Sequence, residues 1–360
     1  MKFIFLIIIY FTFSFELKTL PRFAIMRGSQ CKDCHSNPTG GLIRNEDGFN
    51  WGKNNLKVYK TNASSVSQKL NENINIGLDF RFQYLYSQAL NKTDFHKMSS
   101  SVYTDFKFDE MFKLISRYDF YRGYFEGFGI LNIFPFEGYL KIGTFSPNFG
   151  LRLDDHTSYT RKGDEGLLNS SIVSQGLIFE PGYTNTGIEV GAYYSDFLFI
   201  TLSAGQDKYP FRSDPVYFGR IEFVNEIGYL NFLFGASYGV LRKFNFNPTV
   251  KGVFAGIGTK DFSILSEYDL AENYIEMQAN SSALMIEGAV RLSKGLDFIV
   301  RYDQWIPNIK NKNSYFSHLN FGFEWFPISF VELRPQYRIY IERPKEEKNN
   351  SFILHFHFWF

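Results

Sequence analysis

The sequence predicts an all-β fold: a transmembrane antiparallel β-barrel of about 16 strands, preceded by a small N-terminal segment of different composition. Three observations predict it. Long stretches alternate apolar and polar residues with a period of two. Aromatic residues make up 19% of the chain, yet the mean hydropathy is only −0.20. The final residues alternate aromatic with other side chains and end on Phe360. Strands that turn rings toward lipid and polar side chains toward a lumen account for all three.

The balance of charge excludes one class of partner. The chain carries 38 Lys and Arg against 37 Asp and Glu, a formal net charge of +1. A nucleic-acid-binding protein needs a basic surface to meet the phosphates, and this composition offers none. We therefore expect no nucleic-acid partner.

The N-terminus has the pattern of an export signal. Lys2 is followed by an apolar run over residues 3–15, which is too short to cross a bilayer as a helix but has the length of a signal-peptide core. Residues 1–19 are predicted to be a signal peptide, with an uncleaved anchor as the alternative. Either interpretation predicts an exported protein.

The next segment, residues 20–56, contains the motif Cys-Lys-Asp-Cys-His at positions 31–35, with the only two cysteines of the chain. Two thiols at this spacing can each bond one vinyl group of a haem, and the histidine that follows becomes an axial ligand of the iron. We predict one covalent haem c, attached to Cys31 and Cys34 with His35 on the iron.

Three alternatives for the cysteines stay open: a Cys31–Cys34 disulfide, a thioredoxin-like redox pair and half of a metal site. A zinc site lacks a second Cys/His pair nearby. A redox pair lacks the surrounding βαβ pattern.

The second axial position has several candidates. Met26, five residues before Cys31 in the same segment, is the nearest. The alternative for Met26 is simple packing of its thioether in a buried turn. The competing histidines are His96, His156, His318, His355 and His357.

A linker over residues 57–72 leads to the predicted barrel over residues 73–360. Apolar and polar residues alternate without interruption from Asn73 to Tyr86, longer than an ordinary soluble strand. Seventeen candidate strands follow this pattern, and the even number expected of a bacterial barrel reduces them to 16. Between the first strand and the last two, the candidates are Val102–Phe108, Lys113–Tyr121, Gly127–Phe134, Glu137–Phe145, Gly176–Phe179, Thr186–Tyr194, Leu198–Ala204, Tyr217–Phe223, Leu230–Val240, Val250–Gly258, Phe262–Leu270, Ser282–Leu292, Leu296–Trp305 and Tyr315–Trp325.

The last strand, Ser351 to Phe360, resembles the terminal signature of bacterial outer-membrane barrels, a final Phe with aromatic or apolar residues at every second position before it. The resemblance implies insertion into the outer membrane. A buried edge strand of a soluble protein is the alternative.

The stretch over residues 146–175 has the weakest strand pattern. Its Asp154, Asp155 and His156 could collect a cation, but a solvated external loop, with Arg161 exposed to water, explains the same residues. The predicted lumen positions mix both signs of charge, which favours a filled or charge-balanced interior. These positions are Asp79, Arg81, Arg117, Asp119, Arg301, Asp303, Arg334 and Arg338.

The whole arrangement resembles the fused cytochrome–porin proteins of bacterial outer membranes, best known from iron oxidisers. Pro21-Arg22-Phe23-Ala24 stands where that family has a Pro-x-Phe-Ala run, and Trp51-Gly52-Lys53 resembles its later turn. The run from Asn37 to Gly41 departs from the family pattern. The resemblance implies electron transfer through the haem, in extracellular iron oxidation or another extracellular electron exchange.

We therefore expect an electron-transfer protein that exchanges electrons with a periplasmic carrier or cytochrome and with an extracellular donor or acceptor. Such a protein needs no acid, base or nucleophile, so any enzymatic activity would be that of an electron-transfer oxidoreductase. The haem is expected inside the barrel, with Arg81 and Arg334 near its propionates. The alternative function is a transport porin with a small disulfide-closed plug and no haem. A soluble extracellular β-protein with haem is the third.

Overall fold

The structure is a computed structural model that describes residues 21–155, 157–163, 175–207, 214–242, 247–344, 346 and 349–360. The predicted signal peptide at residues 1–19 and His156 lie outside the described residues. Among the described helices, none has the length and apolar character needed to cross a membrane.

The described chain contains two α-helices and seventeen β-strands. The helices are α1 (Pro21–Ile25) and α2 (Glu46–Asn55). The strands are β1 (Lys69–Asn71), β2 (Ile74–Ser87), β3 (Lys92–Lys107), β4 (Phe112–Asp119), β5 (Tyr124–Phe134), β6 (Gly138–Phe145), β7 (Asn185–Tyr194), β8 (Leu198–Asp207), β9 (Val216–Ile227), β10 (Leu230–Val240), β11 (Thr249–Thr259), β12 (Phe262–Glu272), β13 (Ser281–Ser293), β14 (Leu296–Ile306), β15 (Tyr315–Trp325), β16 (Val331–Arg343) and β17 (Ser351–Trp359).

Strands β2 to β17 form a closed antiparallel barrel of 16 strands. Each strand pairs with the next along the chain, and β17 closes the ring on β2, with Ser351 opposite Ser87 and Trp359 opposite Asp79. The remaining strand, β1, pairs only with the first residues of β2 and is not part of the ring. Closure leaves no open edge in the ring, as a lipid environment requires. The predicted fold class is confirmed.

The alternation of side chains places charge inside and rings outside. On β14, Asp297, Arg301 and Asp303 are buried on the lumen side, whereas Phe298 and Val300 face outward and are partly or well exposed. The lumen thus carries charges of both signs, as the sequence predicts. Charged side chains on the outer face would meet hydrocarbon, so the two-residue period fixes which side each residue faces.

One of the seventeen candidate strands, Gly176–Phe179, is not a strand. Gly176 has a φ of +86°, and the N–H of Leu177 donates to the carbonyl of Tyr159 at 2.8 Å, within the same loop. Leu177 and Phe179 are buried because this loop packs inside the lumen. Their apolar character comes from that packing, which a period-two pattern does not distinguish from a strand.

Several strand boundaries differ by a few residues from the expected ones, and two differences are larger. Strand β3 begins at Lys92 instead of Val102, because the polar run before Val102 gives no apolar alternation although its backbone pairs with β2. Strand β1 lies within the stretch predicted as a linker, residues 57–72.

The two ends of the barrel differ in the length of their connections. At one end the turns are short, such as residues 228–229 between β9 and β10. At the other end, residues 146–184 connect β6 to β7. Outer-membrane barrels have short turns on the periplasmic side and longer loops outside, which gives the orientation.

The N-terminal segment, residues 21–68, closes the periplasmic end. The Gln30 side chain donates to the carbonyl of Asp196, in the turn between β7 and β8, at 2.9 Å. The N–H of Val58 donates to the carbonyl of Phe326, after β15, at 2.8 Å. Further in, a buried Arg22 pairs with Glu287 on β13 at 3.0 Å. The segment therefore enters the lumen from the periplasmic side.

The described part of the long connection between β6 and β7, which we call the lumen loop (residues 146–155, 157–163 and 175–184), folds into the barrel. Asp155 pairs with Arg301 on β14 at 2.7 Å, and Arg161 pairs with Glu267 on β12 at 2.9 Å. Arg161 is only 3% exposed. The prediction of a solvated external loop is wrong for the described part of this stretch. The physical reason is that the lumen charges attract and neutralise the loop's own charges.

The ion pair between Arg161 and Glu267 is expected to hold the lumen loop in place. Replacing Glu267 by Ala leaves a buried guanidinium without its partner, at a cost of about 3–5 kcal/mol. We expect the loop to detach and become cleavable by protease in the folded barrel. Glu272→Ala, on the same strand but in an exposed pair with Lys251, is the matched control. Equal resistance of both variants to protease would contradict the anchoring role.

Candidate functional site

The haem motif lies in a tightly bonded turn next to helix α2. The Asn45 carboxamide oxygen accepts a hydrogen bond from the N–H of Gly48 at 2.9 Å and caps the helix, with Glu46 and Asp47 in its first turn. The Asn45 amide nitrogen donates to the carbonyl of Lys32 at 3.0 Å. One side chain thus fixes the position of the motif relative to α2.

The motif forms one short helical turn. Residues Cys31–Asp33 are a 3-10 helix, and the N–H of His35 donates to the carbonyl of Cys31 at 3.0 Å. Residues four apart on a helical turn share one face. Cys31 and His35 accordingly line the same cavity, whereas Cys34 is fully buried.

Two glycines let the backbone approach the cysteines. A Cβ at Gly40, which has a φ of +79°, would lie 3.2 Å from the sulfur of Cys31. A Cβ at Gly48 would lie 2.2 Å from the carbonyl oxygen of Cys34, closer than atoms can approach. Any larger residue at Gly48 would displace α2 from the motif. The Gly-rich composition of this segment therefore has a packing reason.

A cavity that is open to solvent lies beside the motif. It lies between the N-terminal segment and the lumen loop. Its lining residues come from both ends of the barrel, from Leu56 at the periplasmic end to Tyr124 at the start of β5 on the extracellular side. Apolar side chains supply part of the wall, including Phe23, Ile43, Met98, Phe149, Phe356 and Trp359.

The state of the two thiols bears on the three alternatives for the cysteines: a disulfide, a redox pair and half of a metal site. Both are free, without a disulfide between them. Burial raises the pKa of Cys31 to about 12 and also raises the pKa of Cys34. A redox-active pair or a zinc site needs thiolates, which a raised pKa disfavours. Among the described residues, no group of three or more His, Cys, Asp or Glu side chains could hold a metal ion.

The candidates for the second axial position lie in different places. Met26 is 2% exposed and packs in a cluster with Phe23, Trp51 and Leu56, directly behind the cavity wall, but does not itself line the cavity. His355 and His357 do line it, as their predicted lumen orientation requires, and so does Met98. The role of Met26 as a ligand stays a prediction.

His318 and His357 already contact other groups. The ring of His318 lies 3.3 Å from the carbonyl of Thr157, in the lumen loop. His357 hydrogen-bonds Glu332 at 2.8 Å through Nδ1 and Asp79 at 3.0 Å through Nε2. Both rings therefore take part in the charge balance of the lumen.

The arginines expected near the propionates carry their own carboxylates. Arg81 pairs with Asp79 at 3.0 Å and also contacts Asp154, and Arg334 contacts Glu332. Asp154 is thus engaged by an arginine, which removes it from the cation site considered for Asp154, Asp155 and His156. Asp155 is likewise paired, with Arg301.

The residues around the cavity fit a covalently attached haem. Cys31 and His35 line one cavity whose wall includes apolar side chains, and glycine at position 40 leaves room beside the sulfur of Cys31. Arginines that line the same space suit the carboxylates of such a group. Sequence reasoning finds the motif but misses Arg44, Arg152 and Met98, since no local pattern marks a residue as lining a cavity.

Comparison with solved structures finds outer-membrane barrels. The outer-membrane channel DcaP of Acinetobacter baumannii matches with a TM-score of 0.58 at 12% identity, over 85% of this chain and 100% of that one. OmpF of Salmonella typhi, in complex with daunomycin, gives 0.57 at 10% identity, over 80% and 97%. OmpT of Vibrio cholerae, in its trimer form, gives 0.55 at 11% identity, over 80% and 99%.

At these identities the likeness concerns the fold. No protein-family model matches the sequence, and comparison with curated proteins gives no match. The chain has the porin-like, all-β barrel fold of these outer-membrane proteins.

The close contact between Gly48 and the motif predicts the effect of adding one methyl group. Gly48→Ala should push α2 away from Cys34 and loosen residues 21–68, so that protease cleaves this segment several times faster in the folded barrel. Gly288→Ala, on β13, meets nothing within 4 Å and serves as the control. If both variants are cleaved at the same rate, α2 does not hold the motif.

Proposed function

We propose that this protein transfers electrons at the outer membrane through one haem c, bound covalently by Cys31 and Cys34 with His35 as an axial ligand. The observation that carries the proposal is that Cys31 and His35 face one cavity inside the barrel. A haem held there would supply one-electron transfer at its iron, at a potential set by ligation and burial.

The protein's own residues would enclose the group. The periplasmic side is covered by the N-terminal segment, and Trp51 and Phe326 close that side as part of one apolar cluster. The lumen loop covers the opposite side through Phe149 and Leu153. Enclosure of this kind limits contact with water, which 35 or so residues of the segment alone would not achieve.

Two kinds of partner fit this arrangement. Because the segment lies at the periplasmic end, a periplasmic electron carrier or cytochrome would approach there. Because the cavity extends to Tyr124 and Arg122 near the extracellular turns, an external donor or acceptor would approach from the other side. Ferrous iron is one such donor, supported by the resemblance of the motif region to cytochrome–porin proteins of iron oxidisers.

Transport is the competing function, favoured by the likeness of the barrel to porins. In that case the N-terminal segment would be a plug. That alternative expects a disulfide to close the plug, whereas Cys31 and Cys34 are both free. Ion pairs such as Arg22 with Glu287 hold the segment instead.

Replacing both cysteines by serine tests the haem directly. The wild-type protein is expected to show a Soret band and a haem mass that survives denaturation, and the C31S/C34S variant should lose both, because thioethers need the two sulfurs. His35→Ala should keep the covalent haem but alter its spectrum and reduction potential. Absence of haem from the wild-type protein would end the proposal.

Deleting residues 21–56 separates electron transfer from transport. Removal of the segment should open the periplasmic end, so that single-channel conductance rises while redox activity disappears. The full chain should conduct little, because the segment and the lumen loop both occupy the lumen. A full chain that conducts as well as the deletion variant and carries no redox activity would favour the transport function.

A further inference from the structure

Most arginines that line the cavity are neutralised by carboxylates. Arg22 pairs with Glu287 at 3.0 Å, and Arg301 pairs with Asp155 at 2.7 Å. Arg161 pairs with Glu267, Arg81 with Asp79, and Arg334 contacts Glu332. Arg117 lies 3.6 Å from Glu126. Enclosed ions need such partners, because their desolvation costs several kcal/mol each.

Arg44 is different. Within the described part of the chain, its guanidinium has no carboxylate within 4 Å, and its buried Nε has no hydrogen-bond partner. The planar group lies over the ring of Trp359, 4.2 Å from its centroid. The backbone of Arg44 is bridged to that of His35, so this cation stands directly beside the haem motif. Burial lowers the pKa of Arg44, as expected for a cation that lacks a partner.

Arg152, in the lumen loop, is the second such residue. Its hydrogen bonds go only to backbone carbonyls and are long, 3.3 Å to Pro147 and 3.4 Å to Gly40. No described carboxylate lies within ion-pair distance, and burial lowers the pKa of this guanidinium too. Gly41 lets the group approach, since a Cβ there would lie 3.2 Å from its Nη2. Arg152 thus lines the cavity from the lumen loop, and Arg44 lines it from the N-terminal segment.

Arg122 also lines the cavity, but it belongs to the short turn between β4 and β5 at the extracellular end and bonds to Tyr124. It is therefore not part of the same arrangement. Arg44 and Arg152 share three properties: they line the cavity with Cys31 and His35, they are partly buried, and they have no carboxylate partner among the described residues.

The geometry points to Arg44 and Arg152 as the residues that bind the carboxylates of an anionic ligand in this cavity. A guanidinium presents its N–H donors in a planar fork that matches a carboxylate, and the charge-assisted hydrogen bonds so formed are stronger than neutral ones. Two partly buried cations without a carboxylate partner call for two negative groups. The two carboxylates have two candidate sources. One is the pair of propionates of the haem, and this source rests on the proposed function. The other is a free dicarboxylate that enters from solution.

Two Gln variants test the propionate source in the full, haem-bearing protein. In the wild-type protein the arginines keep the propionates ionised, so the reduction potential should change little with pH near neutrality. Arg44→Gln and Arg152→Gln should each lower the potential, because a cation that favours the reduced state is lost. The pKa of the propionate should then rise, so that the potential becomes pH-dependent.

Lys60→Gln provides the control, since Lys60 is an exposed cation outside the cavity at the same end of the barrel. It should leave the potential and its pH profile unchanged. Heat-modifiable migration in electrophoresis shows that each variant has folded.

Succinate tests the second source without any haem. The full-length C31S/C34S variant lacks a covalent haem whether or not the proposed function holds, so its cavity should bind succinate and gain thermal stability in a saturable way. Adding Arg44→Gln should abolish this gain. Succinate binding by the haem-bearing wild type as well would assign the site to a free anion.

The inference is overturned if Arg44→Gln and Arg152→Gln behave like Lys60→Gln and if succinate stabilises C31S/C34S no more than chloride at equal ionic strength. A wild-type protein that carries no haem would end the proposed function but leave the succinate result to decide this inference.

Discussion

The width of the barrel is the constraint on which the rest of the structure depends. Sixteen antiparallel strands enclose a lumen too wide for wall side chains to fill, and porins of this size leave an aqueous channel. Here two parts of the chain enter that space from the two ends of the barrel: the N-terminal segment before β2 and the lumen loop after β6. The cavity lined by Cys31 and His35 lies between these two insertions.

The insertions are positioned by enclosed ion pairs as well as by apolar clusters with the wall. Glu287 and Glu267 on the wall each pair with an arginine of an inserted stretch. In the third pair the cation is on the wall, at Arg301, and the carboxylate is Asp155 of the lumen loop. An enclosed ion pair adds little net stability compared with apolar packing, but a wrong placement leaves charges unpaired. The mixed charges of the lumen therefore specify where each insertion sits. Most arginines of the lumen are paired in this way, and Arg44 and Arg152 differ from them because they have no carboxylate partner among the described residues.

The sequence predicts the wall well because alternation is a local property. Sixteen of the seventeen candidate strands are present, including the last one, and the lumen side of each follows from its period. The inserted parts are harder, since local pattern does not say on which side of the wall a loop lies. The stretch with Asp154 and Arg161 has the composition of a solvated loop, yet distant strands supply its partners. The Cys-Lys-Asp-Cys-His motif is visible in the sequence. The place of Arg44 in the cavity depends on contacts with distant strands, such as Trp359 on β17, and no local pattern marks it.

The closing strand of the barrel is also a wall of the site. Trp359 on β17 lies under the guanidinium of Arg44, and its ring is close to Gly52 of α2. The carbonyl of Phe360 accepts a hydrogen bond from the N–H of Leu78 at 3.0 Å. During synthesis, residues 21–68 emerge first, but the surface they pack against is complete only when β17 has paired with β2. Cys31 and Cys34 therefore become enclosed only when the ring has closed, so any reaction at their sulfurs that needs access from solution has to precede closure.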